Sequence, residues 1–545
     1  MNTTNRRHLV VLPMYAALLA CVGLIACGGA QQAGVGSRSV AYESRCVAAH
    51  SKHRSAVKSR NYQPVRLIVE RWGGEGAVTA VGGPARTRVT VLPEEAFVAA
   101  IAKGTQRSTL VTGRAGVGKS TFANSVESQL CGEMPVIMVD LAWDVTLTGE
   151  AGANPVLQAI AAKVGLPTEG DVLATLRADA DGRPLLVLLD SFDEVPQTRR
   201  TEVAGHVRAA IDTLKEASFV LFARPPLFSA SYKALGRFEA QLELPSVTCD
   251  QVDWFTTMRI ATPWEKKNYT EFVARTRLAR KTAGPMGCEY VQMSTWRDLD
   301  SVWQLAQPFG DKQTGGDFEV QYRGTRYDIY YFLAQALIGR DAGLDRFGYG
   351  ILAAIDVVDR MVAAQAEDVL GDLIAFSPAD CEKAAAVVHP ADAPRALKAA
   401  CEALLGSPLF KHSRNGWHFT SRTFEELFLA RRLAVELDVA TDTSCKLIGG
   451  RMRTLESSEV ATFLIGHPTA NVCLAEITRQ LCAGNSAPMQ IAGIVRRGLP
   501  GTAARVTVVG EALEKLKEVH DGTECATSVL QQVDAEKLGS MGMDL

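Results

Sequence analysis

The residues from Gly113 to Ser120 have the types and the spacing needed to hold a triphosphate. Their sequence, GRAGVGKS, fits the pattern GxxxxGK[ST] without a mismatch. A loop of this kind curls so that backbone N–H groups point at the phosphates, and glycine permits the curl because it tolerates positive φ and close approach. We expect Lys119 to reach the β- and γ-phosphates and the hydroxyl of Ser120 to ligate Mg²⁺.

The residues around this loop fit a strand before it and a helix after it. Residues 109–111 (TLV) form a short apolar run, and Phe122, Val126 and Leu130 follow at helical spacing. The helix therefore begins at the loop and directs its dipole at the phosphates. An ordinary glycine turn is the alternative, and the strand–loop–helix context argues against it. The residues expected to contact the nucleotide are Gly113, Arg114, Ala115, Gly116, Val117, Gly118, Lys119, Ser120 and Thr121.

A second set of chemically capable residues follows a buried strand about 70 residues later. Residues 184–194 have the sequence PLLVLLDSFDE. Asp190 ends the apolar run, at the sheet edge where ligands bind in open α/β sheets, and could hold Mg²⁺ through water. Glu194 could orient and deprotonate an attacking water, and Asp193 could share the metal or position Glu194. The alternative is an acidic turn after a core strand. Because these three acids follow a matched phosphate loop, a nucleotide and Mg²⁺ site is favoured.

An arginine follows a further predicted strand. Residues 219–225 have the sequence FVLFARP, so that Arg224 lies at the same sheet edge as Asp190. An arginine there can contact the γ-phosphate or stabilise charge that develops on it. A surface arginine that caps a strand end is the alternative.

The hydrophobic pattern predicts an α/β fold with a parallel sheet. Residues 105–245 alternate strands and helices, with strands predicted at 110–112, 136–140, 185–189 and 219–222. Each strand is nearly all apolar, as expected when both faces of a sheet are covered. Two more apolar runs lie at 65–69 and 89–92. From 250 to 435 the pattern is predominantly helical, and 436–545 is helical without an internal repeat.

Three motifs together resemble the NACHT group of STAND signalling NTPases. They are GRAGVGKST, LLVLLDSFDE and VLFARPP, and the likeness continues through residues 299–308, 326–333 and 417–430. It implies a NACHT nucleotide-binding domain at 105–245, a helical domain at 246–340 and a winged-helix-like domain at 341–435. It also implies that Pro308 packs near the adenine. A histidine that touches the β-phosphate of ADP in this group is replaced here by Ser421, although His418 lies three residues earlier.

The resemblance implies a switch governed by ATP, ADP and Mg²⁺. ADP would hold the domains closed, and exchange for ATP, set off by an unidentified ligand or protein, would open them and permit self-association. Slow ATP hydrolysis would reset the switch. Two alternatives stay open: an AAA+-like ATPase, and an exported lipoprotein whose nucleotide site is vestigial or repurposed. The sequence contains no nucleic-acid-binding motif, and we expect no such partner.

The N-terminal residues predict attachment to a membrane. Residues 1–27 suit a signal peptide or a membrane anchor, because Arg6 and Arg7 precede an uncharged apolar run. The end of that run, LIAC, resembles a lipobox, in which Cys27 would be lipidated. Residues 28–60 are a predicted linker and 61–104 a small N-terminal region. Residues 1–110 contain 14 Lys/Arg and 5 Asp/Glu, which suits an anionic membrane surface or a solvated basic linker. The sidedness of the chain is left open.

The 12 cysteines are scattered, without a CxxC pair or a zinc-like cluster. We therefore expect reduced, mostly buried thiols, with disulfide pairing the less favoured alternative. Residues 436–545 have no predicted role.

Overall fold

The computed structural model describes eleven stretches of the chain and two single residues. They are 63–145 (except 74, 76 and 83–86), 153–163, 185–225, 230–306 (except 261, 277, 279–280 and 285), 324–341, 350–365, 375–413, 416–435, 442–455, 457–483, 488–499, 525 and 529.

An eight-stranded sheet forms the first half of the described chain. Its strands are β1 Arg66–Arg71, β2 Val78–Gly82, β3 Thr87–Pro93, β4 Ser108–Thr112, β5 Val136–Asp140, β6 Leu186–Asp190, β7 Ser218–Ala223 and β8 Ala240–Glu243, in the order β2-β3-β1-β8-β4-β7-β6-β5. The strands from β4 to β8 are parallel, whereas β1 pairs antiparallel with β3 and β8. The predicted α/β fold is confirmed. The apolar runs at 65–69 and 89–92 extend this same sheet.

Helices cover the sheet and follow it. They are α1 Glu94–Ala102, α2 Lys119–Leu130, α3 Pro155–Lys163, α4 Gln197–Thr213, α5 Ala230–Leu235, α6 Cys249–Arg259, α7 Pro263–Arg275, α8 Trp296–Ala306, α9 Arg326–Asp341, α10 Ile351–Gln365, α11 Pro378–Val388, α12 Pro394–Leu405, α13 Arg422–Val435, α14 Asp442–Leu455, α15 Ser458–Gly466, α16 Leu474–Ala483 and α17 Pro488–Gly498. Two hairpins lie among them, β9 Lys281–Gly284 with β10 Gly287–Tyr290, and β11 Phe410–Ser413 with β12 Gly416–Phe419.

Both faces of the central strands are buried, which explains why the sequence shows apolar runs there without alternation. Every residue of β4, β6 and β7 is buried. On one face Phe122 packs between Phe97 and Phe222, with ring centroids 5.5 and 6.1 Å apart. This packing fixes α2, and hence the loop that precedes it, against α1 and β7.

A second apolar core spans the helices after the sheet. The helices α11 and α12 are followed by the β11–β12 hairpin and α13. Phe419 stacks on Phe410 and on Phe428, with centroids 5.1 and 5.3 Å apart, so the hairpin is anchored to α13. None of the helices in the described ranges combines the length and the apolar character needed to cross a bilayer.

The expectation of reduced thiols is wrong. All nine cysteines within the described residues are disulfide-bonded. Four of the pairs are Cys249–Cys288, Cys381–Cys401, Cys445–Cys473 and Cys482–Cys525, with Cα–Cα distances of 5.4, 5.7, 5.1 and 5.9 Å. Sequence could not reveal them because the partners are 20 to 43 residues apart and meet only when separate elements pack.

We expect reduction of these bonds to destabilise the protein strongly. Loops of 20 to 43 residues correspond to about 3–4 kcal/mol for each bridge in the chain-entropy account. The midpoint of thermal unfolding should therefore fall by about 10 °C or more in excess reductant. A differential scan with and without reductant measures this, with alkylating agent alone as the control. Equal midpoints would contradict the bridges.

Candidate functional site

The loop after β4 has the backbone that phosphate binding requires. Gly116 and Gly118 have φ values of +77° and +102°, which residues with a Cβ rarely adopt. Lys119 begins α2, and its Nζ donates to the carbonyl oxygens of Gly113 and Arg114 at 2.9 and 3.3 Å. The ammonium therefore lies across the loop, where it can exchange these two carbonyl oxygens for the oxygens of an incoming phosphate.

A cavity of about 460 Å³ opens above this loop. It brings together residues that are more than 100 positions apart in the sequence. The residues that line it are Gln63, Val65, Ala115, Gly116, Val117, Gly118, Lys119, Ser120, Thr121, Phe122, Asp190, Ser191, Asp193, Glu194, Arg224, Trp254, Trp296 and Arg297.

Two of the predicted nucleotide contacts do not line this cavity. Gly113 packs where a Cβ would lie 2.8 Å from Val117 Cγ1, so glycine is needed there for close packing. Arg114 offers its carbonyl to Lys119, whereas its guanidinium lies against Gly493 of α17. The phosphate loop thus contacts the C-terminal helices through Arg114.

The turn after β6 holds its acids under backbone strain. Ser191 has φ +62°, and it is the only residue other than glycine with positive φ in the described ranges. Its hydroxyl donates to Asp140 at 3.1 Å, and burial raises the pKa of Asp140 to about 6. Strained residues persist where surrounding contacts hold them, and they concentrate at functional sites.

Asp190 and Ser120 form an oxygen pair suited to Mg²⁺. The Ser120 hydroxyl hydrogen-bonds Asp190, whose pKa is raised by burial although that bond opposes the shift. The Asp190 Oδ1 atom is buried and accepts no hydrogen bond from the described residues. Mg²⁺ takes carboxylate and hydroxyl oxygens together with phosphates and water. When bound, the ion would be held by these two residues and would neutralise phosphate charge.

Asp193 is the centre of a charge cluster. Its carboxylate lies 3.9 Å from Lys119 Nζ and 2.6 Å from Arg224 Nε. Burial alone would raise the pKa of Asp193, but these two cations, together with Arg422 and Arg200, outweigh it, and the pKa is lowered. Burial, reinforced by the charge of Asp193, raises the pKa of Glu194. Two adjacent carboxyls therefore differ in proton affinity, and Glu194 is the better proton acceptor.

Arg224 joins the sheet to α13. Besides Asp193 it ion-pairs through Nη1 with Glu426 of α13, a residue that is 1% exposed. Glu426 also accepts a hydrogen bond from Ser457 Oγ at 2.7 Å. Burial would lower the pKa of Arg224, but Glu426 and Asp193 raise it further than burial lowers it.

The start of α8 covers the phosphate loop. Arg297 N donates to Gly116 O at 3.2 Å, and a Cβ on Gly116 would lie 2.5 Å from Arg297 Cβ. Arg297 Nη1 also donates to Thr423 Oγ1 of α13 at 3.1 Å. Arg297 therefore connects the loop to α13, and the loop and the start of α8 both line the cavity.

A second cavity, of about 720 Å³, adjoins the first one. Gln63, Val65, Val117 and Trp296 belong to the walls of both. The remaining wall of the second cavity combines apolar and polar residues, namely Pro64, Val91, Pro93, Leu244, Pro245, Val247 and Met286 with Arg66, Glu95, Thr248, Asp250 and Gln251. An apolar cleft with a few polar groups suits a nucleoside whose phosphates occupy the first cavity.

Other predicted residues lie elsewhere. Pro308 and Cys27 fall outside the described residues. His418 is buried in the β11–β12 hairpin, where Nε2 hydrogen-bonds Ser413 at 2.8 Å and the ring meets Trp143 edge-on at 5.8 Å. The Ser421 hydroxyl is buried without a hydrogen-bond partner among the described residues. Neither residue lines the cavity above the loop.

Comparison with protein families identifies the nucleotide-binding part of the chain. A family model described as an AAA domain matches residues 102–230, the segment from the end of α1 to the start of α5. Residues 102–230 form a P-loop NTPase domain of AAA+ type. Membership of this class implies use of a nucleotide and Mg²⁺. None of the curated protein sequences matches the chain.

Several solved structures are similar to this chain at low identity. Cdc6p from Pyrobaculum aerophilum is 12% identical over 62% of this chain and 92% of its own, with a TM-score of 0.28. The Orc1 protein of Aeropyrum pernix, in complex with DNA, is 15% identical over 62% and 91%, with a TM-score of 0.28. A Thermotoga maritima RuvB variant is 13% identical over 60% and 90%, with a TM-score of 0.24.

The expected set of partners is wrong in one respect. We expected no nucleic-acid partner because the sequence has no such motif. The chains similar in fold include an Orc1 protein in complex with DNA. The missing motif is therefore no ground for excluding nucleic acid.

Several residues of the site were not predicted from the sequence. Asp140 ends a predicted strand at the same sheet edge as Asp190, so the same rule could have found it. Glu426 lies in a motif quoted for its resemblance, but nothing in the sequence pairs it with Arg224. Trp296 and Arg297 give no local signal, because they reach the loop from about 180 residues away.

Glu425 should make stability depend on pH. Burial raises its pKa to about 7, against the opposing charge of Arg422 and with support from Glu426 and Glu194. The folded state therefore keeps a proton that the unfolded state releases near 4.5, so stability falls as pH rises from about 4.5 through 7. Glu425→Gln should remove at most about 3 kcal/mol of this fall. Denaturant unfolding at pH 5 and pH 8 tests it, and parallel profiles for both proteins would contradict it.

Proposed function

We propose that this chain is an ATP- and ADP-dependent conformational switch of NACHT type, built on its AAA+-type domain. The observation that carries the proposal is the buried ion pair between Arg224 and Glu426. It connects the position where a γ-phosphate would bind with the winged-helix-like region.

The Arg224–Glu426 ion pair allows ATP and ADP to have different effects on the conformation of the protein. The γ-phosphate of ATP presents an anion to Arg224 and competes with Glu426, whereas ADP leaves the pair intact. A ligand shifts a conformational equilibrium only by its differential interaction with the two states. Contact between Arg224 and the γ-phosphate supplies that difference, and release of Glu426 frees α13 from the sheet.

The resemblance of the three motifs to NACHT proteins supports the same function. The contact of Arg297 with both Gly116 and Thr423 also supports it. In this proposal slow hydrolysis, with Glu194 as the base, returns the protein to the ADP state.

Glu426→Gln tests the switch. Its amide cannot neutralise Arg224, so we expect the preference for ATP over ADP to rise by about tenfold, the size of a moderate coupling free energy. Titration with fluorescent analogues of both nucleotides measures the ratio of the two dissociation constants. Protease sensitivity between α13 and the sheet should increase in ATP.

Glu402→Gln, an exposed substitution on α12, is the matched control and should leave the ratio unchanged. An unchanged ratio in folded Glu426→Gln protein would rule out the pair as the device that distinguishes the nucleotides.

A steadily turning-over AAA+ ATPase that remodels a substrate protein is the second candidate, and the AAA domain match favours it. The switch predicts turnover below about one per minute, whereas a remodeller is expected to reach about one per second or more. Steady-state phosphate release separates them.

A further inference from the structure

We propose that this nucleotide site works outside the cytoplasm, in an oxidising compartment, with the Cys249–Cys288 bridge holding the wall of its nucleoside cavity. The compartment is inferred from the cysteines and does not depend on the proposed switch, whereas the role of the bridge depends on the nucleotide site.

The cysteine pairing is complete in the described part of the chain. Nine cysteines lie there and all nine are in disulfides. The four mapped bridges all lie between residues 249 and 525, beyond the matched AAA domain. Cytosolic thiols are kept reduced, and structural disulfides are rare there. A chain with every described cysteine paired therefore belongs to an oxidising compartment.

The N-terminal sequence gives independent support. Arg6 and Arg7 precede an uncharged run from Leu9 to Ala26, which has the pattern of an export signal. Export would bring the unfolded chain to a thiol–disulfide oxidoreductase. One cysteine thiolate attacks the oxidoreductase disulfide and forms a mixed disulfide. The thiolate of the second cysteine then attacks this mixed disulfide and releases the oxidoreductase. Each bridge thereby transfers two electrons and two protons to the oxidoreductase, which leaves as a dithiol.

One bridge lies at the nucleotide site itself. Cys249 is the first residue of α6, between Thr248 and Asp250, which both line the larger cavity. Cys288 lies in β10, two residues after Met286 of the same wall. Trp254, five residues after Cys249 in α6, lines the phosphate cavity. The bridge therefore fixes α6 against β10 next to the cavity residues Asp250 and Met286.

The wall of the site should be better ordered in the oxidised protein, and in an oxidising compartment its ligand is a nucleotide present outside the cytoplasm. No cytoplasmic regeneration of ATP acts there, which favours capture of a nucleotide over repeated turnover.

The compartment is tested on the full chain in a bacterial host, by trapping thiols with a maleimide-linked polymer and counting the mass shifts. In the chain with its own N-terminus we expect at most three reactive thiols, those of Cys21, Cys27 and Cys46, which lie outside the described residues. Leu18→Arg interrupts the apolar run and should retain the chain in the cytoplasm with more than three reactive thiols. More than three reactive thiols in the folded, unaltered chain, or equal bridging in Leu18→Arg, would overturn the proposal.

The role of the bridge is tested by the double variant Cys249→Ser/Cys288→Ser, with Cys381→Ser/Cys401→Ser as the matched control. Each pair removes one bridge, but the control bridge joins α11 and α12. We expect ATP and ADP to bind about tenfold more weakly only in the first variant, because a pre-ordered wall is lost. Equal effects in both variants would refute this role. If oxidised wild-type protein binds neither nucleotide, the proposed switch fails while the thiol result still decides the compartment.

Discussion

Lys119→Ala should lower the affinity for both ATP and ADP by about 100-fold or more, the scale on which loss of one partner of a buried charge pair is measured. In the structure the ammonium is held by two loop carbonyls and lies 3.9 Å from Asp193. Burial lowers its pKa, although Asp193 opposes that shift. A bound phosphate would form an ion pair with this ammonium. No other described residue of the loop places a cation in the cavity.

Isothermal titration in Mg²⁺ measures the loss. The fold should survive the substitution, because Asp193 keeps its contact with Arg224 at 2.6 Å. Lys103→Ala, at an exposed lysine after α1, is the control and should bind as the wild type does. Wild-type affinity in folded Lys119→Ala protein would remove the cavity above the loop as the nucleotide site.

Glu194→Gln should leave ATP binding intact and lower the hydrolysis rate by about 100-fold to 1000-fold, the usual contribution of a general base. The amide keeps the size of the side chain but cannot accept a proton. Glu194 suits the base because burial and the adjacent Asp193 raise its pKa, whereas Asp193 itself is committed to two cations.

Single-turnover phosphate release, measured with enzyme in excess, isolates this step from nucleotide exchange. Glu202→Gln, on the exposed face of α4, should hydrolyse at the wild-type rate. Equal rates in Glu194→Gln and wild type would assign the base to another group, and Asp193→Asn would then be the next variant.

Local sequence was sufficient for the elements that carry the site. The strand at Val136–Asp140 was predicted with its observed bounds, and those around 110, 187 and 220 within a few residues. Such strands are recognisable because a parallel sheet buries both faces and leaves an uninterrupted apolar run. The strands β2 and β8 were missed, since neither is a continuous apolar run, and β8 alternates buried and half-buried residues.

The amino-acid sequence by itself determined the phosphate loop, the acidic turn and their common sheet edge. Each depends on neighbouring residues, because positive φ, helix onset and strand burial are local properties. Tertiary structure alone decided that Glu426 holds Arg224, that Arg297 covers Gly116 and that Cys249 meets Cys288. These partners lie between 39 and about 200 residues apart, and no periodicity links them. Only the packing of whole helices against the sheet brings such groups within bonding distance.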